Sequence, residues 1–183
     1  YGCNYKFYLK EEGSDAVVAF VIYTYPDSPA EKAGLKRGDV VLTIGGKELN
    51  QSNYTDLYYA SSVEIGLGRY QGNGVYTSVE KTAKMSAVAM YENPVVATKV
   101  FDCGGKKVGY LAYTSFTFES SVALIDVCKE FKAQGVTELI LDLRYNGGGY
   151  VFTENVLASM LAPEAEVKAK SILSTEVWND SYM

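Results

Sequence analysis

Hydrophobic and polar positions follow different rhythms in the two halves of the chain. AVVAFVIYTY, Ala16 to Tyr25, is rich in β-branched and aromatic residues and predicts a strand, ended by Pro26. YKFYL, from Tyr5 to Leu9, reads as an earlier strand. SPAEKAGL then supplies helix signals: Ser28 as N-cap, Pro29 at the first helical position, Glu31 completing a capping box and Gly34 as the stop. DVVLTIGGKEL predicts a strand, a Gly45-Gly46 hairpin turn and a return strand. In SNYTDLYYASS, Tyr54, Leu57 and Tyr58 fall at i, i+3 and i+4, which predicts a second helix with one apolar face. Strand-like segments around the turn YQGNGVY fill Glu64 to Val88.

The rhythm changes around YENPVV, and the domain boundary is placed near Pro94, giving units 1–93 and 94–183. Beyond it KKVGYLAYTSF predicts a strand. In SSVALIDVCKEFKAQG, Leu124, Val127, Cys128 and Phe131 repeat at helical spacing, and Gly135 ends the helix. TELILDL is apolar enough for a strand buried on both faces. After three glycines, Phe152, Val156, Leu157, Met160 and Leu161 predict a helix face, closed by Pro163. Strand, helix, strand, loop, helix is an α/β unit whose loop lies at the carboxyl end of a strand, where ligands usually sit.

Composition narrows the function classes. With 183 residues, 48% of them hydrophobic, the chain suits one ordinary domain or two small ones. A formal net charge of −5, with lysines scattered among acids, provides no basic stripe, so nucleic acid is not an expected partner. No apolar run approaches the roughly 20 residues that a membrane-spanning helix needs. Because the first residue is Tyr1 rather than Met, membrane contact is expected only through an N-terminal anchor removed upstream. Cys3, Cys103 and Cys128 are odd in number, far apart and without a C-x-x-C pairing. Histidine is absent, which removes His-containing zinc sites and the Ser-His-Asp arrangement. Neither a metal nor a cofactor is expected, and a hydrolase built on this chain needs another base.

The most informative stretch is ELILDLRYNGGGYVF. Read from residues alone, its glycines serve either a tight strand-to-helix turn or a loop whose bare N–H groups face an anion or a developing oxyanion. The loop lacks the Gly-Lys-Ser/Thr of a P-loop. Asp142 and Arg144 are expected to order it. SVEK, Ser78 to Lys81, has S-x-x-K spacing, but a strand would put its Ser and Lys on opposite faces.

Two motifs carry a resemblance. SPAEKAGLKRGDVVLTIGGKEL resembles the core of bacterial PDZ domains, and GYLAYTSF followed by LILDLRYNGGG resembles the protease core of the carboxy-terminal processing, or tail-specific, serine peptidases. The resemblance implies a mixed fold: a PDZ-like β-rich domain with two short helices, followed by an incomplete α/β protease core. It implies a serine endopeptidase that recognises polypeptide C-terminal tails and cleaves with a serine activated by a lysine. Both residues are expected beyond residue 183, so this stretch alone is expected to be inactive, and Ser171, Ser174 and Ser181 are expected to be surface serines. Gly148 and Gly149 are the implied oxyanion-hole donors. The implied carboxylate-binding loop is Tyr1, Gly2, Cys3 and Asn4, and the groove's other wall is the helix bearing Tyr54, Leu57 and Tyr58. The implied partners are unfolded or extended polypeptide C-termini, and the implied location is the periplasm or cell envelope. The alternatives are a stand-alone peptide-binding module, with the glycines as a plain turn, and a family member that has lost its nucleophile.

Overall fold

In the computed structural model, which describes residues 1–177, 179 and 181, the chain divides into two units, residues 1–92 and 93–183. The first unit is a single antiparallel sheet with strand order β1-β2-β3-β5-β6: β1 (Cys3–Leu9), β2 (Val17–Thr24), β3 (Val40–Ile44), β5 (Ser62–Gly72) and β6 (Val75–Ser86). A short strand, β4 (Lys47–Glu48), pairs with β3. β2 takes an interior place because its residues are buried on both faces: Ala19 and Val21 enter the main core with Tyr5, Val41, Leu49 and Ile65, while Val18 joins Val40 and Leu42 on the other side. The hairpin between β3 and β4 turns through Gly45 and Gly46 at φ 57° and 74°, two consecutive positive values that favour glycine.

The helix signals hold in outline. α1 (Pro29–Lys32) is capped by the Ser28 hydroxyl, which accepts from Glu31 N–H at 3.1 Å. The reciprocal bond shifts by one residue: Glu31 accepts from Asp27 N–H at 2.7 Å, because Ser28 N–H is taken by the Tyr25 carbonyl. α2 is shorter than the spacing predicts, only Asp56–Tyr59, with Tyr54 in the preceding turns.

The second unit departs from expectation at its start. A strand not anticipated from the pattern, β7 (Val95–Cys103), forms a hairpin with β8 (Lys106–Tyr113). α3 (Ser120–Ala133) crosses over to β9 (Glu138–Asp142), which runs parallel to β8. α4 (Val151–Leu161) and α5 (Glu164–Ala169) follow. Leu111, Tyr113, Leu124, Phe131 and Leu157 form the core. Among the described residues β9 pairs with β8 alone and Ile140 is 50% exposed, so the cover on both faces that its composition suggests is not supplied within this stretch. The α4 face is also corrected. Thr153 and Leu157 point inward, and Phe152 lies outside the core on the exposed side.

Candidate functional site

The first site is the edge of β1 that pairs with no strand among the described residues. Tyr5 lies opposite Val21, whose N–H and C=O both bond on the far side, to Asp39 O and from Gly38 N at 2.9 Å each. The N–H and C=O of Tyr5 therefore face away from β2. An edge of this kind accepts an added strand. α2 and the turn before it supply the opposite wall. Tyr54 packs edge-on against Phe7 at 5.0 Å between ring centroids, and Tyr58 against Tyr5 at 5.7 Å and Phe7 at 5.9 Å. A cleft of about 370 Å³ runs past Phe7, Leu9, Gln51 and Tyr54. Leu57 is not part of this wall. It is 1% exposed and belongs to the core, so it has no surface to offer a ligand.

The loop before β1 is pinned in place. Tyr1 donates its hydroxyl proton to Ala60 O at the end of α2 and accepts at its carbonyl from Ala30 N, and Gly2 O accepts from Tyr25 N at 2.8 Å. Gly2 has φ +71°, and a Cβ there would meet Ser28 Cβ at 2.4 Å. Only glycine lets the chain pass so close to the Ser28 cap. Cys3 is buried, with its sulfur 3.0 Å from the Tyr5 hydroxyl, and burial raises its thiol pKa. Burial raises the Tyr5 phenol as well. Asn4 is exposed and reaches the Tyr23 hydroxyl at 3.4 Å.

The second site is the glycine loop between β9 and α4. Gly147 N–H donates to Thr114 O at 3.2 Å, Gly148 N–H to the Asn146 side-chain oxygen at 2.7 Å, and Tyr150 N–H to Phe116 O at 2.7 Å. Phe116 N–H donates to Gly148 O at 2.8 Å, closing a parallel bridge between Phe116 and Gly149. Gly149 N–H is thereby turned away from Phe116 and has no partner among the described residues. Gly149 has φ +142°, and a Cβ there would lie 2.3 Å from Phe116 O. Sequence reasoning missed Asn146, whose amide also donates to Tyr113 O at 3.2 Å. The available signal was an Asn before glycines, which favours a turn closed by its own side chain.

Asp142 and Arg144 do order the start of this loop. Asp142 accepts from Arg144 Nε at 2.9 Å, from its terminal nitrogen at 2.6 Å and from the Tyr110 hydroxyl at 2.7 Å. The Arg144 bonds, followed by that of Tyr110, hold the Asp142 carboxyl far below the usual carboxylate range. Lys81 of the SVEK stretch donates to Gly34 O at 3.0 Å. Ser171 bonds Glu166 on the surface, and Ser174 and Ser181 are exposed. Among the described residues no three His, Cys, Asp or Glu side chains converge as a metal site.

Comparison with known proteins assigns both halves. Residues 107–172 match the sequence model of peptidase family S41, and residues 20–60 that of a PDZ domain. The chain joins a PDZ domain to part of an S41 peptidase core. It is 31% identical over 170 residues to the chloroplastic C-terminal processing peptidase of Tetradesmus obliquus, covering 85% of this chain and 35% of that protein. With the carboxy-terminal processing protease CtpB of Bacillus subtilis it shares 25% identity over 147 residues, 77% of this chain and 29% of that one. An S41 protease structure from Bacteroides fragilis NCTC 9343 superposes with a TM-score of 0.73 and 31% identity, over 91% of this chain and 45% of its own. The chain thus spans about a third of the length of these C-terminal processing relatives. The Gly148–Gly149 loop lies within the S41 segment, whereas Tyr54 and Tyr58 lie within the PDZ match.

Proposed function

We propose that this chain is the tail-recognising and oxyanion-binding part of a serine endopeptidase whose nucleophile and lysine base lie beyond residue 183. The observation that carries the reading is the bare, glycine-held N–H of Gly149 inside the S41 match. In acyl transfer the carbonyl oxygen gains negative charge as the serine oxygen adds to the carbonyl carbon. A fixed N–H pointing at that oxygen is worth about 3 kcal/mol of transition-state stabilisation. Gly149 is the donor assigned this role. Gly148 would serve only if Asn146 released its N–H. The serine proton passes to the neutral lysine amine, which returns it to the leaving nitrogen.

The PDZ half selects the substrate. An extended tail adds to the β1 edge, its carboxylate directed to the backbone of Tyr1, Gly2, Cys3 and Asn4, and its apolar side chains packed against Phe7, Tyr54 and Tyr58. A location in the periplasm or cell envelope belongs to the same proposal and rests on the family alone. The stand-alone binding module leaves the S41 match of residues 107–172 without a role.

The test is cleavage of an unstructured polypeptide. The full-length parent protein should turn it over, losing activity when its serine or lysine is replaced, while the 183-residue chain should not. Turnover by the 183-residue chain at enzyme-like rates would overturn the division of the machinery proposed here.

A further inference from the structure

The β1 edge already has an occupant. The Tyr58 hydroxyl accepts from Tyr5 N–H at 3.1 Å and lies 3.3 Å from Tyr5 O, to which it donates. An added strand makes the same two contacts, its carbonyl accepting from one edge N–H and its own N–H donating to the edge carbonyl. A hydroxyl does both through a single atom. The ring is held over the groove by its edge-on contacts with Tyr5 and Phe7, yet Tyr58 remains 43% exposed, so it has solvent-side room to leave.

We infer that Tyr58 is a built-in competitor for the tail, a side chain that mimics one residue of an added strand and must swing off Tyr5 before a peptide can pair with β1. The inference rests on the tail-binding reading and deepens it. Its chemistry has a direct consequence for affinity. The free protein divides between a plugged and an open edge, and the apparent dissociation constant is the intrinsic one divided by the open fraction. Removing the hydroxyl while keeping the ring leaves the aromatic wall intact and removes the two hydrogen bonds that compete with a strand. It also gives α2 a role in selectivity: a ligand that pairs with Tyr5 gains entry, and one that only contacts the aromatic wall does not displace the phenol.

The deciding variant is Tyr58→Phe in the 183-residue chain. The probe is a fluorescent ten-residue peptide ending in Ala-Val-Val, prepared as the free acid and as the C-terminal amide. Tyr58→Phe should bind the acid about three- to tenfold more tightly, the range set by freeing one neutral hydrogen-bonding site. It should also speed exchange of the Tyr5 amide proton in the peptide-free protein, measured by NMR. If acid is preferred over amide by both proteins but with equal or weaker affinity for the variant, the plug is wrong and tail binding stands. If Tyr5 exchange is unchanged, the plug is equally overturned. If neither protein prefers the acid, the tail-binding reading itself fails, and the inference with it.

Discussion

At the β1 edge, Tyr5 N–H is met by a phenol from the protein's own α2, whereas in the loop before α4, Gly149 N–H meets nothing among the described residues. Both are backbone donors assigned to an oxygen of a peptide, and they are managed in opposite ways. A strand edge is a standing invitation to unwanted pairing, so a movable side chain covering it has protective value. The Gly149 donor is set by backbone geometry instead. The bridge to Phe116 fixes the direction of its N–H, and the close approach of Phe116 O excludes any Cβ. On the proposals above, the β1 edge is a site that opens and the Gly149 loop is a site that stands ready.

The sharpest way to break that contrast is Gly149→Ala. The new Cβ would clash with Phe116 O, and the φ of +142° suits only glycine, so the N–H cannot stay in place. In the full-length protein, kcat should fall by about 10²- to 10³-fold, with tail affinity unchanged. Gly148→Ala meets no atom within 4 Å and should lose far less, through its positive φ alone. Equal losses would remove the distinction between the two glycines.

Leu57→Ala tests which α2 residues face the groove. Truncating a fully buried leucine should destabilise the first unit by about 2–5 kcal/mol in urea unfolding. Tyr54→Ala should weaken peptide binding with a smaller loss of stability. A stable Leu57→Ala variant with weakened binding would return Leu57 to the groove wall.

A smaller effect concerns the approach to the glycine loop. Asp142 has its folded-state pKa depressed by Arg144 and Tyr110, against about 3.9 in an unfolded chain. Its stabilising contribution is complete above the unfolded value and is lost as pH falls through the folded one. The stability gap between the parent and Asp142→Asn should therefore hold from neutral pH to about pH 5 and narrow on further acidification. A gap that widened in acid would contradict the assignment.

Sequence made visible what local chemistry determines. The Ser28 cap, the Gly45-Gly46 turn and the 3.6-residue rhythm of α3 each lie within a few residues of chain. β7 was missed because its strand character comes from pairing with β8: most of its residues are exposed, and no apolar alternation marks it. Periodicity puts Phe152 on the inner face of α4 because it finds apolar residues without saying which are covered; in the structure it stacks on Phe118 at 5.3 Å on the outside of the core. At the sites, the glycines and tyrosines were visible as residue types. That Asn146 takes one N–H and Tyr58 another depends on turn geometry in the first case and on a contact across 53 residues in the second. Neither is written in spacing.

The most direct measurement is an NMR titration of the isotope-labelled chain with a free-acid peptide and its amidated twin. Binding of the acid should shift the amide signals of Gly2, Cys3 and Tyr5, with a much weaker response to the amide. Identical responses to the two peptides, or shifts that leave β1 untouched, would contradict tail recognition at this edge.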